Sequence, residues 1–379
     1  MERPGVIPGW KVKREVLRFR QQIAWYWESL NAGRRTRQHD RDRPHLVTRH
    51  DGPRNQGPRI AALLIFQPGD MPASLLESCD QLTDLGYSVL VVSNGPLSAA
   101  GRAALLPHVW RLLERPNLGY DFGGYREAVM HLWDAGVTAD ELLVLNDSVW
   151  LVQDAFAPFL DRLAQMEADV TGTVLRSKKG KHWLESYFFR FNRTALSSSA
   201  FRDFWRHYRL VDSKFGVIRQ GERDFTVKLA AGGLRIGSLG DSAGFLARMS
   251  EAPDEELILA MRYGATVEGG LAEDRARLLG DSTAPHWRTR VIAHLETVLD
   301  GRRVWNSQFP IAARRVMTFP FLKKSREPVN QEWRRQVLAA IEAGVFPSPT
   351  SSVLTEIRER LDQGTTQTPH WMARSNPVA

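Results

Sequence analysis

The sequence predicts an α/β protein with a mostly parallel sheet flanked by helices and a helical C-terminal extension. Three observations carry this. Apolar runs of strand length stand at 60–66, 87–93 and 141–145. The segments between them have helical spacing, the pattern of right-handed crossovers in a parallel sheet. After about residue 245 the strand signal fades, and helices with loops remain.

In chain order, residues 10–30 (WKVKREVLRFRQQIAWYWESL) read as a helix with Val12, Val16, Phe19, Ile23 and Tyr26 or Trp27 near one face. Lys11, Lys13, Arg14, Arg18 and Arg20 flank that face. A basic helix with interfacial aromatics fits an anionic membrane surface, and it fits equally a helix docked on its own domain or a partner. Residues 31–58, rich in Arg, Asp, Pro, Gly and Asn without periodicity, read as a linker. IAALLIF (60–66) suits a central strand. Pro72 opens a helix whose apolar positions Leu75, Leu76, Cys79, Leu82 and Leu85 follow helical spacing as far as Gly86. YSVLVVS (87–93) is a second strand and VWRLLER (109–115) a third. Helix 124–135, strand 141–145 and helix 155–165 follow, then strands at 168–175 and 186–192 and helices at 201–210 and 222–233. The expected division is 1–58 for the basic helix and linker, 59–245 for the α/β domain, 246–363 for the helical region and 364–379 for a disordered polar tail.

The 379 residues are 43% hydrophobic and 25% charged, ordinary for a globular chain large enough to bury a substantial core. No apolar run approaches the ~20 residues of a membrane span. The N-terminus lacks a signal peptide's apolar stretch, and the single cysteine, Cys79, excludes an internal disulfide, so a cytoplasmic address is expected. Residues 1–59 hold 14 Lys+Arg against 6 Asp+Glu, leaving 37 of each in the remainder. The net charge of +8 therefore belongs to the N-terminal arm. A neutral body offers no stripe for specific nucleic-acid binding.

The stretch Pro116–Trp150 is the most informative. Asn117, Gly119, Asp121, Gly123 and Gly124 form a glycine-rich polar loop, in which backbone N–H groups can cradle phosphate. A tight turn capping the next helix, with Asp121 as structural acceptor, accounts for it equally. Asn146-Asp147-Ser148 end an apolar strand at the carboxyl edge of a sheet, where α/β folds bind ligands. One carboxylate among amide and hydroxyl oxygens suits Mg²⁺ or Mn²⁺ held mainly through a substrate diphosphate, with Asp147 as the metal residue. A turn bonded to its own backbone is the alternative. Glu222 and Asp224 open a helix, where carboxylates favour the dipole whatever their function. His182 stands beside Trp183 and near Tyr187. No zinc-ligand spacing, GxSxG elbow or GxxxxGK[ST] loop is present.

Together these segments resemble the rhamnan synthesis protein F family of bacterial polysaccharide glycosyltransferase-type proteins. The residues that carry the resemblance are Asn117-Leu-Gly-Tyr-Asp-Phe-Gly-Gly-Tyr125, Leu145-Asn-Asp-Ser-Val149, Ser186-Tyr-Phe-Phe-Arg-Phe191, Ala200-Phe-Arg-Asp-Phe-Trp205, Gln220-Gly-Glu222 and Phe319-Pro-Phe-Leu-Lys-Lys324. It spans roughly residues 60–325. The resemblance implies a GT-A-like (Rossmann-like) nucleotide-sugar fold, with the nucleotide over the first two strands near Gln67 and Asn94. It places the diphosphate and any divalent cation at Asn146-Asp147-Ser148, where Asn146 departs from the family-type aspartate-x-aspartate. It also implies Glu222 as catalytic base, with Asp224 beside it. The expected activity is inverting transfer of a sugar from a nucleoside diphosphate to a cell-surface glycan or lipid-linked acceptor. Rhamnose is suggested only by the family's name. The donor would meet Asn94, Asn117, Gly119, Asp121, Gly123, Gly124 and Asn146–Ser148, and the acceptor His182, Trp183 and Tyr187. The enzyme is expected at the inner face of the membrane, held through residues 10–30. The alternative is a non-catalytic scaffold of the same fold in a glycan-assembly complex.

Overall fold

A computed structural model describes residues 9–178, 180–300 and 303–364. The expected tail at 364–379 lies outside the described residues, apart from Gly364. Helix α1 (Gly9–Leu46) leads into β1 (Thr48–Asp51) and β2 (Arg59–Ile65). Then come α2 (Ala73–Asp84), β3 (Ser88–Ser93), α3 (Ala99–Leu105), β4 (Arg111–Glu114), α4 (Tyr120–Asp134), β5 (Glu141–Asn146) and β6 (Val149–Leu151). Helix α5 (Gln153–Ala164) precedes β7 (Val170–Lys178), β8 (Lys181–Leu184) and β9 (Phe188–Asn192). Helices α6 (Arg193–Ser197), α7 (Ser199–His207) and α8 (Lys214–Val217), a π-helical turn (Ile218–Arg223), α9 (Asp224–Ala231) and β10 (Ile236–Gly240) complete this half.

The main sheet runs β1-β4-β3-β2-β5-β9-β7-β10, with β8 paired to β7. Strands β2, β3, β4 and β5 are mutually parallel, β9 is antiparallel to both β5 and β7, and β10 is parallel to β7. The expected α/β class, mostly parallel and flanked by helices, is the class observed. Alternation along β2 shows why its run is apolar throughout. Ala61, Leu63 and Ile65 face one core with α2, α5 and the C-terminal helices, while Ile60, Ala62 and Leu64 face a second core with α4, α7 and α9.

The reading of residues 31–58 as a linker is corrected. Helix α1 continues to Leu46, and β1 pairs antiparallel with β4. The inward positions Ala32, Thr36 and His39 are buried at helical spacing, but two of the three are polar. Asp40 accepts a forked pair of hydrogen bonds from Arg126 at 2.7 and 2.9 Å, and Arg43 Nε donates to Glu127 at 2.6 Å. The face docks through ion pairs, so a hydrophobic pattern search passes over it.

Beyond β10 the chain forms α10 (Ser242–Glu251), α11 (Asp254–Arg262), α12 (Gly269–Gly280), α13 (Trp287–Leu299), α14 (Trp305–Gln308) and α15 (Pro310–Met317). Strand β11 (Phe321–Lys323), α16 (Pro328–Glu342) and α17 (Ser351–Asp362) follow. This region is helical as expected, save for β11, which pairs antiparallel with β6. That pairing sets Lys324 beside Ser148, whose carbonyl accepts the Lys324 N–H at 2.8 Å.

Candidate active site at the carboxyl edge of the sheet

The parallel register of β2 to β5 brings their carboxyl ends to one edge. At the end of β5, Asn146 Oδ1 accepts from the Ser148 N–H at 3.2 Å and from its hydroxyl at 2.5 Å. The self-bonded turn therefore accounts for Asn146 and Ser148. Asp147 does something else. Its Oδ2 accepts from the Phe66 N–H at 3.1 Å and from Gln67 Nε2 at 2.7 Å, tying β5 to the end of β2. Burial pushes its carboxyl above the usual range against the nearby Lys324 charge.

The glycine-rich segment is not an open loop. Helix α4 begins at Tyr120, so Gly123 and Gly124 lie buried in its first turns. The Gly123 N–H donates to Gly119 O at 2.8 Å and is committed to the helix. A Cβ on Gly123 would stand 2.1 Å from Leu118 O, and one on Gly124 2.1 Å from Leu64 Cδ1. These glycines seat α4 against its own loop and β2, which corrects their reading as a phosphate cradle. Gly119 is left-handed with φ +84°, and Tyr120 follows at φ +47°. Such a conformation is strained for a tyrosine. Asn94 steadies it, donating from Nδ2 to Tyr120 O at 3.2 Å and accepting from Arg115 on Oδ1. Asn117 is exposed in the loop before α4.

Asp121 sits in the first turn of α4 and accepts from Asn146 Nδ2 at 3.1 Å. Burial and then the Asp147 charge push its carboxyl up. Glu222 arrives from the opposite side on the π-helical turn Ile218–Arg223, a geometry frequent at functional sites. Gly221 makes this possible, since a Cβ there would meet the Phe122 ring at 2.5 Å. Ser186 Oγ donates to Glu222 Oε2 at 3.1 Å, and burial followed by the Glu185 charge raises the Glu222 carboxyl.

Tyr125, inside the quoted motif but not among the expected site residues, stands between the two groups. Its hydroxyl donates to Ser186 O at 2.8 Å. Burial, Asp121, Asp147 and Glu222 all act to keep the phenol protonated. The charges of three carboxylates from three elements thus all act on one buried tyrosine.

The remaining expected residues are placed differently. Tyr187 is buried, its hydroxyl accepting from Thr173 at 2.6 Å and its ring packed on Phe321, so it is core and presents no sugar-stacking face. Trp183 is buried too. Its indole N–H is directed at Glu222 without closing a hydrogen bond of normal geometry. Trp183 lies on β8 with its ring turned into the core, and Tyr187 lies in the turn before β9, packed inward as well. His182 is exposed on β8 with Nδ1 2.7 Å from Ser177 Oγ. Asp224 faces Lys181 at 3.7 Å.

The donor set is a poor match for a resident divalent cation. Asp147 Oδ2 and Asn146 Oδ1 already accept two hydrogen bonds each, and Mg²⁺ or Mn²⁺ prefers about six oxygens. Among the described residues no group of three or more His, Cys, Asp or Glu is arranged to hold a metal. Asp147 as a metal residue is not supported by its surroundings.

With this geometry in place, comparison with known proteins is informative. Residues 89–250 match the family described as Rhamnan synthesis protein F. The resemblance read from the motifs is borne out over that stretch, which holds the Asp121, Asp147 and Glu222 elements. A protein from Sinorhizobium fredii (strain NBRC 101917 / NGR234), uncharacterized protein y4gN, is 32% identical over 235 residues, covering 60% of this chain and 61% of its own. The chain thus spans about three fifths of that relative's length. Among solved structures, the mannosyltransferase PcManGT from Pyrobaculum calidifontis, in complex with GDP-Man and Mn²⁺, is 13% identical with a TM-score of 0.33, covering 93% of this chain and 96% of its own. TarS 1-349 of S. aureus is 12% identical with a TM-score of 0.30, covering 80% and 90%. At these values the likeness bears on neither reaction nor ligand.

Proposed function

We propose that the chain is a glycosyltransferase, moving a sugar from a nucleoside-diphosphate donor onto a glycan or lipid-linked acceptor by inverting displacement. The observation that carries this is the pair of links Tyr125–Ser186–Glu222 and Asn146–Asp121 at the sheet edge, with the Asp147 charge also acting on Tyr125, within the rhamnan synthesis protein F stretch. The acceptor oxygen attacks the anomeric carbon while Glu222 takes its proton. The bond from that carbon to the diphosphate breaks, and its electron pair leaves on the diphosphate. A base with a raised carboxyl pKa suits this step, because its proton affinity lies closer to neutrality. Asp121 orients donor hydroxyls, and Asn94 with Gly119 shapes the nucleotide shelf. Rhamnose is the sugar to which the family's description points.

The acceptor side of the proposal includes a membrane. Val16, Ile23, Trp27 and Leu30 are exposed on α1, and their spacing of seven, four and three residues lines them along one face. Trp25 is turned inward, with the Arg219 guanidinium 4.2 Å above its ring. The described residues contain no helix long and apolar enough to cross a bilayer. The outward stripe and the basic sequence around it suit the anionic inner surface of a membrane.

The test is release of nucleoside diphosphate by the full chain from a panel of UDP-, GDP- and dTDP-sugars, with and without membrane extract as acceptor. Turnover of one donor that Glu222→Gln abolishes supports the reading. A second reading, the non-catalytic scaffold, is favoured by Asp147 acting as a tie between β2 and β5. A folded protein inert toward every donor, with no nucleotide binding, would establish it.

A further inference from the structure

We propose that Lys324, delivered by the C-terminal helical region, is the cation that binds the donor's diphosphate, in the role a divalent metal would otherwise fill. This rests on the donor-site reading above. Lys324 follows β11 and is only 8% exposed. The bond from its N–H to Ser148 O fixes its backbone against the Asn146–Ser148 turn. Its ammonium feels the Asp147 and Glu356 carboxylates and, against them, the Arg360 guanidinium, and lies 5.4 Å from the Trp150 ring centroid.

Both neighbouring carboxylates are already engaged. Asp147 Oδ2 serves Phe66 and Gln67, whereas Glu356 accepts from Ser74 N at 3.2 Å, Ser74 Oγ at 2.7 Å and Trp150 Nε1 at 2.6 Å. Among the described residues the Lys324 ammonium closes no ion pair or hydrogen bond. A mostly buried ammonium with three unused donors is costly unless an anion completes it.

The location names the anion's chemistry. Lys324 adjoins the turn at the end of β5, whose Asn146 side chain reaches Asp121 in the first turn of the 15-residue helix α4. A diphosphate at that edge would meet the ammonium and the positive end of the helix dipole together. As the sugar–phosphate bond breaks, charge grows on the departing oxygen, and a preorganised cation there favours the transition state. The oxygen ligands are too few for a metal cage, but one lysine needs none of them. Arg360, whose Nη1 donates to Lys324 O at 3.0 Å, holds this arm in place.

The experiment is calorimetric titration of the full chain in EDTA with UDP, GDP, dTDP, inorganic pyrophosphate and the matching nucleosides, for wild type, Lys324→Met and Lys324→Arg. Wild type is expected to bind one nucleoside diphosphate without metal, and pyrophosphate to displace it. Lys324→Met should lose about tenfold to a hundredfold in diphosphate affinity, the loss of one charged hydrogen-bonding group. Its nucleoside affinity should stay within about twofold, which also reports an intact fold, and Lys324→Arg should retain most diphosphate binding. Undiminished diphosphate binding by Lys324→Met overturns the inference alone, as does wild-type binding that vanishes in EDTA and returns with Mn²⁺. Should Lys324→Met not fold, failure of pyrophosphate to displace nucleotide from wild type overturns it as well. Silence of wild type toward every nucleotide, with or without Mn²⁺, removes the donor-site reading itself.

Discussion

Glu222 shows how one residue's environment sets its chemistry. Burial and the Glu185 charge raise its carboxyl, so its proton must be removed above the ordinary carboxylate range before it can act as base. The plot of log kcat/KM against pH should therefore fall on the acid side through that elevated value. Glu222→Gln should lose about 10²–10⁴ in rate with donor affinity unchanged. The same burial has a stability sign. A folded pKa above the unfolded one means stability is full at low pH and declines as pH rises through the folded value. Glu222→Gln, neutral throughout, should therefore show a higher Tm than wild type at pH 7 and no advantage at pH 4. A lower Tm at pH 7 would count against a strained, functional carboxylate.

Among elements, α4 and α1 give the clearest consequences. Helix α4 lies so close to its neighbours that two glycines are required. Gly123→Ala drives a methyl toward the fixed Leu118 carbonyl, whereas Gly124→Ala meets the flexible end of Leu64. Both should destabilise by about 1–3 kcal/mol, with Gly123→Ala the worse in thermal melts. Helix α1 is held by the Arg126 fork on Asp40. Burial raises that carboxyl, but its partners outweigh burial and bring it down to about 2. His39 Nδ1 is 3.8 Å away, too far for a hydrogen bond, so Arg126 carries the effect. The stabilisation is full above the unfolded value near 4 and is lost as pH falls toward 2. Asp40→Asn leaves buried Arg126 without its counter-charge, so it should cost about 2 kcal/mol at pH 7, discounted for Asp40's partial exposure. Urea melts at pH 7 and pH 2.5 should show the difference shrinking.

Across the whole molecule, the arm and the C-terminal region serve opposite ends of one proposed task. The exposed α1 stripe contributes nothing visible to the core, so Ile23→Ser with Trp27→Ala should leave Tm unchanged. Sedimentation with anionic liposomes should fall several-fold, and the remainder, carried by the basic residues, should become more sensitive to salt; unchanged sedimentation would discard the membrane contact. Trp25→Ala is a different experiment, since Trp25 packs inward beneath Arg219. The C-terminal helices do more than brace the sheet. Trp150, Leu322, Trp333 and Ile357 share a core, and α17 reaches back to α2 through Glu356 on Ser74 and Thr350 on Glu77. Detaching them would carry Lys324 away from Asp147.

The sequence by itself determined the middle of the sheet. Strands β2, β3 and β5 are apolar on both faces, and such runs have few other stable fates than the middle of a helix-covered parallel sheet. It also singled out Asp121 and Asp147 through glycine and polar turn residues, and Glu222 through the family resemblance, since a carboxylate opening a helix is by itself accounted for by capping. Only the tertiary structure decided which of these meet. The docking of α1 was hidden because charge pairs, with no apolar period, make its contact. Gly123 and Gly124 read as a ligand cradle because close approach needs glycine whether the partner is a phosphate or the protein's own backbone. In sequence Tyr187 and Trp183 fit an acceptor contact and a core position equally well, and only the packing around β8 and the turn before β9 shows that both are covered. Lys324 lies 177 residues from Asp147, just after a strand of three residues too short to show any period, and the pairing of β11 with β6 brings them together.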